Sequence, residues 1–102
     1  MKIYNVRISP TALADIDHLS DYLVSIMSME GAWRYKEAMR QEILSLSVFA
    51  DLYQPCRSMI LQRIHPKARR MLSHNRKWNY VFHIVEDMVV VDRILPSKII
   101  AK

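Results

Sequence analysis

Glycine is almost absent from this chain: Gly31 is the only one in 102 residues. A phosphate-cradling loop and a nucleophile elbow both need several glycines at fixed spacing, so neither kind of site is available. Cysteine is as scarce. Cys56 stands alone, which excludes an internal disulfide and a cysteine zinc cluster, and it reads as a small buried or half-buried residue. Long apolar runs are missing too. Stretches such as Met88–Val91 are far too short to span a bilayer, and Met1–Asn5 opens no signal-peptide core, so a soluble cytoplasmic protein is expected. The most informative absence is of one charge. No Asp or Glu occurs from Leu52 to Val85, whereas Arg57, Arg63, Lys67, Arg69, Arg70, Arg76 and Lys77 do, with His65, His74 and His83 among them.

The net charge of +5 is therefore local: residues 1–50 carry five basic and six acidic groups, residues 51–102 ten basic and four acidic. Solubilising surfaces mix their signs. A one-sign block interleaved with apolar residues suggests a site for a polyanion, or for an acidic protein that covers it. A length of 102 residues suits one domain spanning the chain, and 51% hydrophobic content favours a compact fold over disorder.

Lys2–Ile8 alternates Ile3, Asn5 and Arg7 against Tyr4, Val6 and Ile8, the period of a strand. Ser9-Pro10 supplies a helix N-cap with proline at the first helical position. Ala12, Leu13, Ile16, Leu19, Leu23 and Ile26 then recur on one helical face, ending near Met27–Ser28, with Asp15, Asp17 and Asp21 on a solvated side. Glu30-Gly31 breaks the pattern, and a second helix is expected from Ala32 to Phe49, burying Trp33, Tyr35, Ala38, Met39, Ile43, Leu46 and Phe49. The short connection implies an antiparallel helical hairpin. Pro55 stops any continuation.

Ile60, Ile64 and Met71–Leu72 are apolar islands suggesting one or two short strands, or a loop and a strand. Trp78–Val85 and Met88–Leu95 read as strands joined at Glu86-Asp87 in a hairpin. The expectation is an α+β domain: an N-terminal strand, the helical hairpin, then antiparallel strands forming one sheet packed on the helices. The other sheet face is left for the basic residues. Alternation allows only one of Arg69 and Arg70 on that face, places His83 with Val81 and Val85, and places Arg93 with Val91 and Leu95.

A metal site does not fit, because His65, His74 and His83 lie nine residues apart without carboxylates between them. No cofactor is expected either. The chemistry these residue types suit is metal-free RNA cleavage, which needs a base for the 2′-hydroxyl, an acid for the leaving oxygen and cations on the transition state. His74 or His83 suit the proton transfers, and Arg69, Arg70, Lys77 and Arg93 the charge.

Several segments carry a family resemblance. They are Tyr4–Pro10 followed by Ala12, Asp15-Ile16, Leu19 and Tyr22-Leu23; Phe49–Pro55; Arg69-Arg70-Met71; Tyr80–Asp87; and Val90–Leu95. Over nearly its whole length the chain resembles the RelE/ParE superfamily, the toxins of bacterial type II toxin–antitoxin systems. The resemblance implies two activities, RelE-like cleavage of mRNA in the ribosomal A site and ParE-like poisoning of DNA gyrase. The RelE-like pattern uses basic sheet residues and a C-terminal Tyr. Here Pro96–Lys102 has no Tyr, Pro96 replaces a usual His, and Tyr80 and His83 occupy altered positions. A ParE-like toxin that arrests growth by inhibiting gyrase is the favoured expectation. The alternatives are a RelE-like endoribonuclease and an inactive family member that only binds antitoxin. If the protein is a nuclease, Arg69, Arg70 and His83 are its candidate catalytic residues. Arg63, Lys67, His74, Arg76, Lys77, Arg93 and Lys98 are the candidates for contact with target or antitoxin. The implied partners are a cognate acidic antitoxin, forming a hetero-oligomer with the toxin, and either gyrase or the ribosome–mRNA complex, with no membrane involved.

Overall fold

The computed structural model describes residues 2–100 and has the expected α+β arrangement. Strand β1 (Asn5–Ile8) leads into α1 (Pro10–Ile26) and α2 (Met29–Leu44). A short α3 (Leu46–Phe49) and a 3₁₀ turn (Ala50–Leu52) follow, then α4 (Met59–Ile64). Strands β2 (Arg69–Leu72), β3 (Trp78–Val85) and β4 (Met88–Pro96) complete the sheet before the single-turn α5 (Ser97–Ile100). Sheet order is β1-β4-β3-β2. β3 pairs antiparallel with both β2 and β4, but β1 runs parallel to β4. The expected antiparallel sheet is therefore mixed. The reason is topological: the helical segment carries the chain across so that β2 runs in the same direction as β1, and two reversals, β2 to β3 and β3 to β4, return β4 to that direction.

Local caps set the helices. Ser9 Oγ accepts from Ala12 N at 3.1 Å and Pro10 opens α1 as expected. Gly31 does not break the second helix. Ser28 caps it by accepting from Gly31 N at 3.0 Å, so Met29, Glu30 and Gly31 form its first turn. Leu13 and Ile16, early in α1, line one groove with Met39, Arg40 and Ile43, late in α2, so the two helices are antiparallel. α2 ends at Leu44 rather than Phe49, and Ser45 starts a separate turn.

The main core joins Leu19 and Leu23 of α1 and Ala32, Met39 and Ile43 of α2 to Met71, Tyr80, Phe82, Val89, Val91 and Ile94 of the sheet. The expected helical stripe was drawn too wide. Trp33 is 64% exposed, and Leu13, Ile26, Ala38 and Phe49 are exposed as well, while Ala32 takes the buried position beside Trp33.

The second sheet face is not left open. Ile60 and Ile64 belong to a helix, α4, which lies over that face and builds a smaller core from Leu61, Ala68, Val81 and Leu95, with Cys56 and Ile64 at its margin. Val81 is fully buried although it points away from the helical pair. The basic residues therefore surround a covered patch instead of lining a bare sheet.

Candidate functional site

A β-bulge organises the centre of the sheet. Val81 pairs with Arg93 and Phe82 with Val91, which leaves Asp92 as the extra residue of β4. Bulges re-aim side chains. Here the strict alternation expected for Arg93 fails, since Val91 sits in the main core and Leu95 in the smaller one. Arg93 instead reaches α1, where Asp15 accepts from its Nε at 2.8 Å and its Nη2 at 3.2 Å. The same carboxylate accepts from Ile94 N at 2.9 Å. Asp15 thus ties the bulge to α1, a role that a solvated helix face did not suggest. The hydrogen bonds to Asp15 hold the Arg93 guanidinium even more firmly charged than usual. Arg93 is engaged within the fold.

Asp92 aims its carboxylate at His83, with Oδ2 at 2.6 Å from Nδ1. A carboxylate can only accept, so this contact places a proton on His83 Nδ1. Over that ring lies His65, centroid to centroid 3.8 Å and only 4° from parallel. The His83 side chain is 12% exposed and that of Asp92 17%. His65, just past the end of α4, joins His83 although eighteen residues (83 less 65) separate them.

The other candidates divide by position. Arg69 shares the side of Met71 and donates from Nη1 to Tyr53 O at 2.8 Å, so it is half-buried structure. Arg70 is the exposed one of the pair. With Arg63 at the end of α4 and Lys67 just beyond it, Arg70 belongs to the surface around the smaller core. His74, Arg76 and Lys77 are exposed in the β2–β3 turn. Ser97 N donates to Lys77 O at 2.9 Å and Ser97 Oγ to Arg76 O at 2.7 Å, which brings α5 and exposed Lys98 to the same end. Arg76, Lys77 and Lys98 there rim a groove of about 600 Å³ walled by Tyr22, Leu23, Ile26, Met27, Tyr35, Trp78 and Pro96. Among the described residues, ion pairs join Arg34 to Glu30, His83 to Asp92 and Arg93 to Asp15, and none involves Arg63, Lys67, Arg70, Arg76, Lys77 or Lys98.

Space is less one-sided than sequence. Glu42 of α2 accepts from His74 N at 2.8 Å, and Asp92 reaches His83, so acids from outside residues 52–85 border the basic block. Neither Asp15 nor Asp92 was expected to hold a functional side chain in place. The signal for Asp92 was faint: an Asp within an otherwise apolar strand, nine residues after a strand His.

Tyr80 is fully buried in the main core, and its hydroxyl has no hydrogen-bond partner among the described residues. Burial, with Glu42 nearby, pushes that hydroxyl far above the usual tyrosine range. Tyr80→Phe should leave stability within about 1 kcal/mol, or raise it, because Glu42 is near the hydroxyl but in no well-formed hydrogen bond with it, and a buried polar atom is removed. Thermal denaturation of the two forms checks this, and a clear loss would show that the hydroxyl has a partner.

No group of three or more His, Cys, Asp or Glu side chains among the described residues is placed to hold a metal ion. Nor is any described helix long and apolar enough to cross a membrane.

No curated protein matches the chain. Its fold resembles that of a chain from the chromosomal ParDE TA system from P. aeruginosa, with a TM-score of 0.77 and 17% identity over 92% of this chain and 96% of that one. At that identity the likeness speaks for the fold alone. The family model described as the ParE toxin of the type II toxin–antitoxin system parDE matches residues 6–100. A match over nearly the whole chain, on a sheet and helical pair of the same shape, establishes that this chain belongs to the ParE toxin family of type II toxin–antitoxin systems.

Proposed function

We propose that the protein is a toxin that acts by binding, arresting growth through inhibition of DNA gyrase, and that a cognate acidic antitoxin neutralises it. The observation that carries the binding reading is that two of the three nuclease candidates, Arg69 and His83, are engaged within the fold. Arg69 is spent on Tyr53 O, Tyr80 lies inside the core, and the His83 ring is bound by Asp92 and covered by His65. A general base must come within hydrogen-bond reach of the proton it takes, and a ring so covered offers a substrate little approach. The cations that remain unpaired, Arg63, Lys67, Arg70, Arg76, Lys77 and Lys98, suit electrostatic recognition. His74 joins the last group through its position in the β2–β3 turn.

The Tyr22–Trp78 groove with its rim of Arg76, Lys77 and Lys98 suits an acidic segment that presents apolar side chains, the kind of antitoxin segment that folds on binding. The groove beside Trp33, about 450 Å³, offers a second apolar surface. Purified toxin should inhibit gyrase supercoiling, and the antitoxin should restore it. Normal supercoiling at toxin concentrations that stop growth would refute the gyrase target.

One observation favours the second reading, a RelE-like ribonuclease: an Asp orienting a His is the arrangement of an activated base, and Arg70 is exposed on a neighbouring strand. Mapping mRNA 5′ ends on stalled ribosomes separates the two. Cuts at the A-site codon that vanish in His83→Ala and Arg70→Ala would establish the nuclease.

A further inference from the structure

The segment from Pro55 to Ala68 lies across the second sheet face and is held there by three kinds of contact. Its apolar side chains, Leu61 and Ala68 with Cys56 and Ile64, pack on Val81 and Leu95. Its ends meet where Cys56 N donates to Ala68 O at 2.7 Å and Pro55 bridges to Arg69. Between these, beside Ile64 at the exit from α4, the His65 ring stacks on His83.

Two features of that ring require it to be neutral. His65 Nδ1 accepts from Lys67 N at 3.0 Å, which only an unprotonated nitrogen can do. A proton there would set donor against donor. The second feature is the stack. It covers part of the His65 ring against His83, and a ring so covered disfavours carrying a charge. The stack is not a metal site, because ring-nitrogen lone pairs lie in the ring planes, and parallel rings cannot aim them at a common ion.

We propose that His65 is a proton-operated latch: its neutral ring pins the α4 segment to β3, and its protonation frees that segment from the sheet. The surface that changes is the one bearing the unpaired cations. Arg63 and Lys67 ride on the segment, whereas Arg70 is fixed on β2, so opening the latch separates charges that the closed form groups together. The latch is independent of which macromolecule the toxin binds.

The charged and titratable neighbours of His65 are His83 and Asp92 on the sheet, Lys67 in its own turn, and Arg70, which pairs with Val81 two residues along β3 from His83. Burial, the largest influence, lowers the affinity of His65 for a proton; His83 and Lys67 add to this and Asp92 opposes it. The sign of the pH dependence follows. The open segment binds a proton more readily than the closed one. The latch therefore has its full strength above the ordinary imidazole value of about 6.5 and loses it as pH falls below that, toward the lower value of the closed ring.

Hydrogen exchange on the full chain tests the latch, read at the amides of residues 59–68 and corrected for intrinsic rates. Between about pH 7.5 and about pH 5.5 these amides should lose up to about tenfold protection relative to β3, one decade for the one unit below the free imidazole value. His65→Phe keeps a flat ring for the stack and cannot titrate, so its segment should show no such loss. Unchanged protection in the wild type, or the same loss in His65→Phe, would overturn the latch. If His65→Phe does not fold, an NMR titration of the wild-type histidines decides. His65 should titrate below the ordinary imidazole value of about 6.5, with segment amides shifting at its midpoint; a midpoint at or above that value would overturn the proposal.

Discussion

Asp15→Ala will destabilise the protein by about 2–3 kcal/mol, a large effect for one helical residue outside the apolar core. The alanine removes the carboxylate that accepts from Arg93 Nε and Nη2 and from Ile94 N. The backbone N–H of Ile94 is the costly loss, since Ile94 is buried in the main core close to the bulge. The guanidinium contributes less, because the Arg93 side chain is 36% exposed while that of Asp15 is 15% exposed, and water can replace part of what it loses. Arg93→Ala should accordingly cost less than Asp15→Ala, because Asp15 still accepts from Ile94. Urea denaturation of the single and double variants gives the coupling energy. A loss under about 1 kcal/mol for Asp15→Ala would mean that the bulge holds without this clamp. The variant also bears on function, since the bulge turns Asp92 toward His83. Its segment 59–68 should exchange faster than that of the wild type even at neutral pH.

Reversing Arg76, Lys77 and Lys98 together to Glu will weaken antitoxin binding by about two to three orders of magnitude at low salt. These side chains are exposed and have no ion pairs among the described residues, so the fold has little to lose from the change. They share the rim of one apolar groove, which makes their effect on an acidic partner cooperative. Raising the ionic strength should shrink the difference from wild type, as screening removes the electrostatic part and leaves the apolar contacts with Tyr22, Ile26 and Trp78. The same reversal at Arg63, Lys67 and Arg70, on the surface around the smaller core, should change antitoxin affinity by less than about tenfold. Titration calorimetry at two salt concentrations reads all three proteins. Equal losses from both triads would show that the antitoxin covers both surfaces and that the groove has no special part.

Periodicity made the element order legible wherever one side of an element faces water. Ser9-Pro10, the apolar steps of α1, and the Trp78–Val85 and Met88–Leu95 hairpin all follow from short-range chemistry that a sequence displays directly. Family membership was legible as well, because those elements and their residues recur over residues 6–100. α4 was harder to see. Six residues hold too few turns for a helical stripe, and the partners of Leu61, Val81 and Leu95, are supplied by distant strands. The parallel pairing of β1 with β4 was also hidden, since local pattern shows that a strand exists and says nothing of its neighbour.

The site divides in the same way. The sequence by itself determined the charge: an acid-free, cation-rich stretch fixes the net sign of this half of the molecule in any fold. Tertiary structure decided which of those groups are free to act. It turned Arg70 outward and Arg69 onto Tyr53 O, engaged Arg93 with Asp15, and joined Arg76 and Lys77 to Lys98 through Ser97. It also stacked His65 on His83 and brought Asp92, the extra residue of β4, to the His83 ring. Composition sums charges wherever they lie in the chain, but pairing, burial and proton affinity depend on distances of a few ångströms, which only the folded chain sets.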